Sequence, residues 1–157
     1  MQKITPFLWF NDNAEEAINF YTSIFKDSKI TSLSRRPDNV PGKGSLLVGS
    51  FTLNGQEFIA MNGGPNHPFT DAISLTINCE TQEEVDHYWQ KLTADGGKEI
   101  MCGWLKDKYG LSWQVTPTLI GKLMSKATPE QSARVMGAVM SMIKLDIAGL
   151  QKAFDGE

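Results

Sequence analysis

Two side chains in this sequence have the chemistry to attack or to shuttle a proton: Cys102 and His67. Cys102 opens the stretch Cys102-Gly103-Trp104-Leu105-Lys106-Asp107. A thiol becomes a nucleophile as its thiolate, so nearby Lys106 and Lys108 would activate it and an apolar setting would silence it. His67 sits in the loop Asn62-Gly63-Gly64-Pro65-Asn66-His67-Pro68, and loops on a rigid scaffold are where ligand contacts gather. The second histidine, His87, falls with Asp86 and Gln90 on the polar side of a helix and reads as surface. Around these stand Trp9, Trp104 and Trp113, which are either core residues or flat surfaces for an aromatic or conjugated ligand. Asn62 and Gln114 have the donors and acceptors to orient such a ligand. A few convergent polar groups in an apolar cavity suffice for binding, whereas acid-base catalysis requires a positioned titratable pair.

The elements that must position these residues are legible from pattern. Asp107-Lys108-Tyr109-Gly110 is a turn, after which Leu111, Trp113 and Val115 fall on one face of a strand and Ser112, Gln114 and Thr116 on the other. One face is core, and the face carrying Gln114 is free to line a cavity. Upstream, Ile4 to Phe10 reads as a buried strand, and Asn13 as the N-cap of a helix with Ala17, Ile18, Phe20, Tyr21, Ile24 and Phe25 at helical spacing. Lys29 to Arg36 is a strand with Ile30 and Leu33 its expected buried side chains, and Pro37 to Gly44 is a loop. Ser45 to Leu53 and Gln56 to Asn62 form a hairpin across Asn54-Gly55, a pair that accepts the positive φ angles of a type I′ turn. Ala72 to Asn78 is a strand, and Thr81 with Glu84 reads as the capping box of a helix whose apolar face is Val85, Tyr88, Trp89 and Leu92.

Glu15-Glu16-Ala17-Ile18-Asn19-Phe20-Tyr21 lines up with Glu83-Glu84-Val85-Asp86-His87-Tyr88-Trp89 at a constant offset of 68 residues. Each segment follows a strand and precedes a hairpin, which makes the chain an α+β protein of two strand-helix-strand-strand-strand modules. Paired, such modules put helices outside and leave a cupped face between them. The expected modules are about 1–66 and 67–117, forming one domain. Residues 118–157 are a helical tail on the domain or on a dimer partner, with Val135, Met136, Val139, Met140 and Ile143 on one face and Asp146 capping the last helix.

Composition excludes several classes. The chain has 157 residues, 41% hydrophobic and 21% charged, and no apolar run reaches the roughly 20 residues that span a bilayer. A net charge of −3, with the fifteen Lys and Arg scattered, offers no footprint for nucleic acid. Cys79 and Cys102 are too far apart for a CxxC motif and read as reduced thiols in a cytoplasmic protein without a secretory signal.

The segments Asn11-Asp12-Asn13-Ala14-Glu15-Glu16-Ala17 with Phe20-Tyr21, Leu53-Asn54-Gly55-Gln56-Glu57-Phe58, Met61-Asn62-Gly63-Gly64-Pro65, and Cys102 to Asp107 with Gly110-Leu111-Ser112-Trp113-Gln114 resemble the PhnB-like family. That family lies within the glyoxalase/bleomycin resistance/dioxygenase (vicinal oxygen chelate) superfamily, and some of its members are named 3-demethylubiquinone methyltransferases. The resemblance covers nearly the whole chain, tail included, and implies paired βαβββ modules. Metal-using members hold a divalent ion with His and Glu from four strands. The corresponding slots here fall near Pro6, Ala60 and Ala72 and on Gln114, a set that implies no catalytic metal. No cofactor is expected: the Gly-rich turn nearest to a nucleotide-binding pattern, Asp95-Gly96-Gly97, follows a helix instead of a strand. The resulting expectation is a homodimer that binds an unidentified small molecule through Trp9, Asn62, Trp104, Trp113 and Gln114. The alternatives are a metal-independent enzyme using Cys102 or His67 on a small aromatic or quinone-like substrate, and an interaction module working through the tail.

Overall fold

The computed structural model describes residues 2–157, which divide into a unit ending at Pro68 and a unit Phe69–Glu157. In the first, β1 (Phe7–Phe10), α1 (Ala14–Ile24), β2 (Lys29–Arg35), β3 (Leu46–Leu53) and β4 (Gln56–Asn62) follow in order. Asn54 and Gly55, with φ of 50° and 79°, reverse the chain between β3 and β4, as expected of an Asn-Gly pair. The sheet order is β1-β4-β3-β2, with β1 parallel to β4 and the other pairs antiparallel.

The second unit repeats this plan. It contains β5 (Ser74–Cys79), α2 (Gln82–Thr93), β6 (Lys98–Glu99), β7 (Trp104–Lys106) and β8 (Ser112–Pro117), ordered β5-β8-β7-β6 with β5 parallel to β8. The helices begin at Ala14 and Gln82, keeping the sequence offset. The copies differ in their outer strands. β6 and β7 have two and three residues where β2 and β3 have seven and eight.

Each sheet buries one face under its helix. In the first unit Leu8, Phe10, Phe51, Leu53, Phe58 and Ala60 are buried on the side of Ala14, Ala17, Ile18, Tyr21 and Ile24 of α1. Gly49 permits this approach, since a Cβ there would stand 2.7 Å from Ile18 Cδ1. In the second, Ile77, Cys79, Leu105, Trp113 and Val115 meet Val85, Trp89 and Leu92 of α2. β2 departs from expectation: it lies at one edge of the sheet and all seven of its residues are exposed, Ile30 and Leu33 included.

The tail is α3 (Leu119–Met124), α4 (Pro129–Ser141) and α5 (Ile147–Asp155), and it belongs to the second unit. Leu123, Val135, Val139, Leu145 and Leu150 form its core. Thr128 and Gln131 make a reciprocal capping box at α4, and Asp146 caps α5. Only part of the expected α4 face is buried: Met136, Met140 and Ile143 are exposed. Ion pairs Lys122 to Glu80 and Lys144 to Asp86, with Gln82 bonding Leu145 O and Ile147 N, fasten the tail to the start of α2 and the residues before it.

Two caps differ from the sequence reading. Glu84 N donates to Thr81 Oγ1 at 3.3 Å, but the Glu84 carboxylate accepts from Glu80 N, so the box is not closed on Thr81. Asn13 makes no side-chain cap. The cap of α1 comes from across the sheet: Asn62 Oδ1 accepts Ala14 N at 2.8 Å, while its Nδ2 donates to Leu46 O at 3.0 Å. An amide 5% exposed thereby joins the end of β4 to the starts of α1 and β3. Leaving both partners unpaired in Asn62→Ala is expected to cost about 2–4 kcal/mol in urea unfolding; wild-type stability would show that Asn62 is available for another task.

Candidate functional site

β7 and β8 place the sequence-predicted residues on opposite faces of the second sheet. Asp107 N donates to Leu111 O at 3.0 Å and Gly110 N to Asp107 O at 2.9 Å, closing the turn with Gly110 at a φ of 86°. Asp107, only 3% exposed, also organises the turn through its carboxylate. Oδ1 accepts Tyr109 N at 2.9 Å and Leu111 N at 3.1 Å, and Oδ2 accepts Trp113 Nε1 at 2.8 Å. Trp113 is thus held on the α2 side, within the core.

The other face presents Trp104 and Gln114 as a cross-strand pair, followed by the pair Lys106 and Ser112. From β5, Ser74 and Thr76 pair with Ser112 and Gln114 and complete the row. Gln114 Nε2 donates to Ser74 Oγ at 2.9 Å, a bond that uses neither the Ser74 hydroxyl hydrogen nor Gln114 Oε1. Lys106 Nζ lies 2.8 Å from Asp71 Oδ1, which also accepts from Ser112 Oγ at 2.9 Å. These two bonds, Lys106 first, hold the Asp71 carboxyl below its ordinary range. Ser74 was not singled out in the sequence, although the alternation of β5 about Ile77 and Cys79 marks it; Lys106, expected beside Cys102, pairs with Asp71 instead.

Cys102 lies outside this row. It is half-buried against the tail core, at a φ of 64°, and the lysines expected to activate it are engaged elsewhere: Lys106 with Asp71, Lys108 over the Tyr109 ring at 5.3 Å. Burial, with Glu84 adding to it, pushes the Cys79 thiol up to about 12, so that thiol stays protonated at neutral pH.

In the first unit, Trp9 lies on the sheet face away from α1. Its Nε1 donates to Gly64 O at 2.9 Å, and the His67 ring stands 4.5 Å from its own. Gly63 is pressed so closely on the indole that a Cβ would come within 2.2 Å of it. His67 is exposed and its Nδ1 is 3.3 Å from Pro65 O. Asn62, as described, is occupied by backbone.

The metal slots can be tested on these positions. Ala60 is fully buried against α1, and Ala72 lies in the turn before β5. The face positions supply Ser74 and Gln114, neutral donors that do not suit a divalent cation. Among the described residues no three of His, Cys, Asp and Glu converge.

A family model described as 3-demethylubiquinone-9 3-methyltransferase matches residues 2–116. A solved structure from Bacillus cereus, a putative 3-demethylubiquinone-9 3-methyltransferase and PhnB protein, shares 48% identity at a TM-score of 0.69, covering 74% of this chain and 100% of its own. The chain belongs to this PhnB-like family. Neither match extends into the tail. No curated protein matches the chain. At the level of fold alone, the PhnB-like chain is similar to protein PA1353 of Pseudomonas aeruginosa (19% identity, TM-score 0.63, 74% and 98% covered). It is likewise similar to the fosfomycin resistance protein FosX of Listeria monocytogenes (20% identity, TM-score 0.56, 78% and 96% covered). The α+β modules are therefore of the glyoxalase/bleomycin resistance type.

Two measurements test this geometry. Asp107→Asn keeps an acceptor for the turn but points an amide donor at the Trp113 N–H, and a loss of about 1–3 kcal/mol is expected in urea unfolding. For Asp71, a depressed folded pKa means that any stabilisation is complete above the unfolded aspartate range and fades as pH falls through the lower folded value. By NMR titration, Asp71 is expected to protonate below the usual aspartate range and to move back up in Lys106→Met. An unmoved midpoint would show that the ion pair does not form in solution.

Proposed function

We propose that this PhnB-like protein is a small-molecule-binding protein that takes its ligand on the polar face of the second sheet. The observation that carries the reading is the Trp104–Gln114 cross-strand pair, with Ser74 bonded to Gln114. A flat side chain beside a fixed amide and hydroxyl suits a planar ligand carrying both a hydrogen-bond donor and an acceptor. Trp113 supports the row from behind, and Trp9 and Asn62 serve the first unit. The donor set favours binding without a catalytic metal. The protein acts in the cytoplasm as a homodimer, a reading supported by the exposed Met136, Met140 and Ile143 of the tail.

The second reading is a metal-independent enzyme acting through Cys102 or His67. It rests on the left-handed conformation of Cys102, a strain of the kind that collects at functional positions. Methyl transfer, the activity in the family's description, has less support: the strand-to-helix junctions Asn11-Asp12-Asn13 and Glu80-Thr81 contain no glycine with which to approach a nucleotide.

Native mass spectrometry of protein taken directly from its source is expected to show a co-purifying organic ligand, no stoichiometric zinc, iron, nickel or manganese, and the mass of a dimer. Trp104→Ala and Gln114→Ala should each lose the ligand, whereas Cys102→Ser and His67→Ala should retain it unchanged. Turnover of the ligand that disappears in Cys102→Ser or His67→Ala would replace binding by catalysis.

A further inference from the structure

Residues 101–104 form a turn inside the region the family model matches, held by a tail that lies beyond it. Trp104 N donates to Met101 O at 3.2 Å, and the two central residues, Cys102 and Gly103, both have positive φ, 64° and 79°. Such a turn leaves its two central N–H groups pointing outward, and here both are taken by consecutive carbonyls of the tail. Cys102 N donates to Met142 O at 2.7 Å and Gly103 N to Ile143 O at 2.8 Å. Gly103 O in turn accepts Val115 N at 2.8 Å, so a continuous backbone relay runs from the tail through the turn into β8. Leu145, 1% exposed, closes the arrangement: a Cβ on Gly103 would lie 2.8 Å from Leu145 Cδ1 and 2.9 Å from Val115 O. The residue that follows the turn is Trp104.

We propose that the helical tail is a clamp whose 142–145 segment positions Trp104, so that residues remote from the polar face set its affinity for a planar ligand. Cys102 occupies a conformation that an L-residue other than Asn or Asp seldom adopts, and the two tail carbonyls select that conformation over extended alternatives. The family model ends at residue 116, and the Bacillus cereus protein is covered in full by 74% of this chain. The quarter left over is the size of the tail, so the carbonyls that hold the turn lie outside the region matched in both comparisons. Leu145 and Gly103 are positioning residues. Their effect on a ligand rests on the binding reading above, but their effect on Trp104 does not.

The test compares Leu145→Ala with Val135→Ala, which removes another buried residue of the same tail core without touching Gly103. In the ligand-free protein, Leu145→Ala should accelerate amide exchange at Cys102, Gly103 and Trp104 and shift the Trp104 indole resonance, and Val135→Ala should do neither at matched stability. Identical behaviour of the two variants, or no change in Leu145→Ala, would overturn the clamp. Should Leu145→Ala fail to fold, Leu145→Val is read in the same way. The ligand arm uses 2-naphthamide, a flat aromatic with an amide that complements Gln114. Its dissociation constant should rise about tenfold in Leu145→Ala through lost preorganisation, and little in Val135→Ala. If wild-type protein does not bind 2-naphthamide, or Trp104→Ala binds it unchanged, the binding reading falls, and the exchange and indole measurements alone decide the clamp.

Discussion

A carboxylate withdrawn from water must find donors within the protein, and Asp107 accepts from Tyr109 N, Leu111 N and Trp113 Nε1. Two of these lock the turn and the third locks the first large side chain of β8. Register follows, because a strand slipped by one residue would send every side chain to the wrong face. With the register held, Trp113 enters the core and Gln114 stands opposite Trp104 on the polar face. Every feature of the candidate site depends on that alternation.

Asn62 plays the corresponding part in the first unit, though through an amide and at the other end of its hairpin. It couples β4, β3 and the first amide of α1, where Asp107 couples a turn to a tryptophan. The two copies of the βαβββ plan have thus kept strand order while solving burial differently. Their faces away from the helices differ too. Trp9, Val48, Ile59 and Met61 make the first largely apolar, whereas Ser74, Thr76, Gln114 and Lys106 make the second polar. The two modules share a topology and differ in the chemistry of their open faces.

The tail adds a different kind of constraint. Its amphipathic helices cover part of the second unit and insert Leu145 against a glycine that has no room for a side chain. Backbone carbonyls of Met142 and Ile143 hold the 101–104 turn, which is why residue types gave no hint of that contact. The exposed Met136 and Met140 show the limit of reading burial from helical period: α4 needs only Val135 and Val139 to anchor it on one side.

The order of elements, the 68-residue repeat, the Asn54-Gly55 reversal and the division of β8 into two faces were all determined by the sequence alone. Each is a local matter of periodicity or turn conformation, written in neighbouring residues. Boundaries and burial at the edges were not: of the two edge strands, β1 buries Leu8 and Phe10 while β2 leaves Ile30 and Leu33 exposed. The site was legible as a list of residue types, but which of them share a face required pairing between strands far apart in the chain. Ser74 and Gln114, Asn62 and Ala14, and Gly103 and Ile143 meet across 40 or more residues. Partners so distant are chosen by the packing of the whole unit, and only tertiary structure decides them.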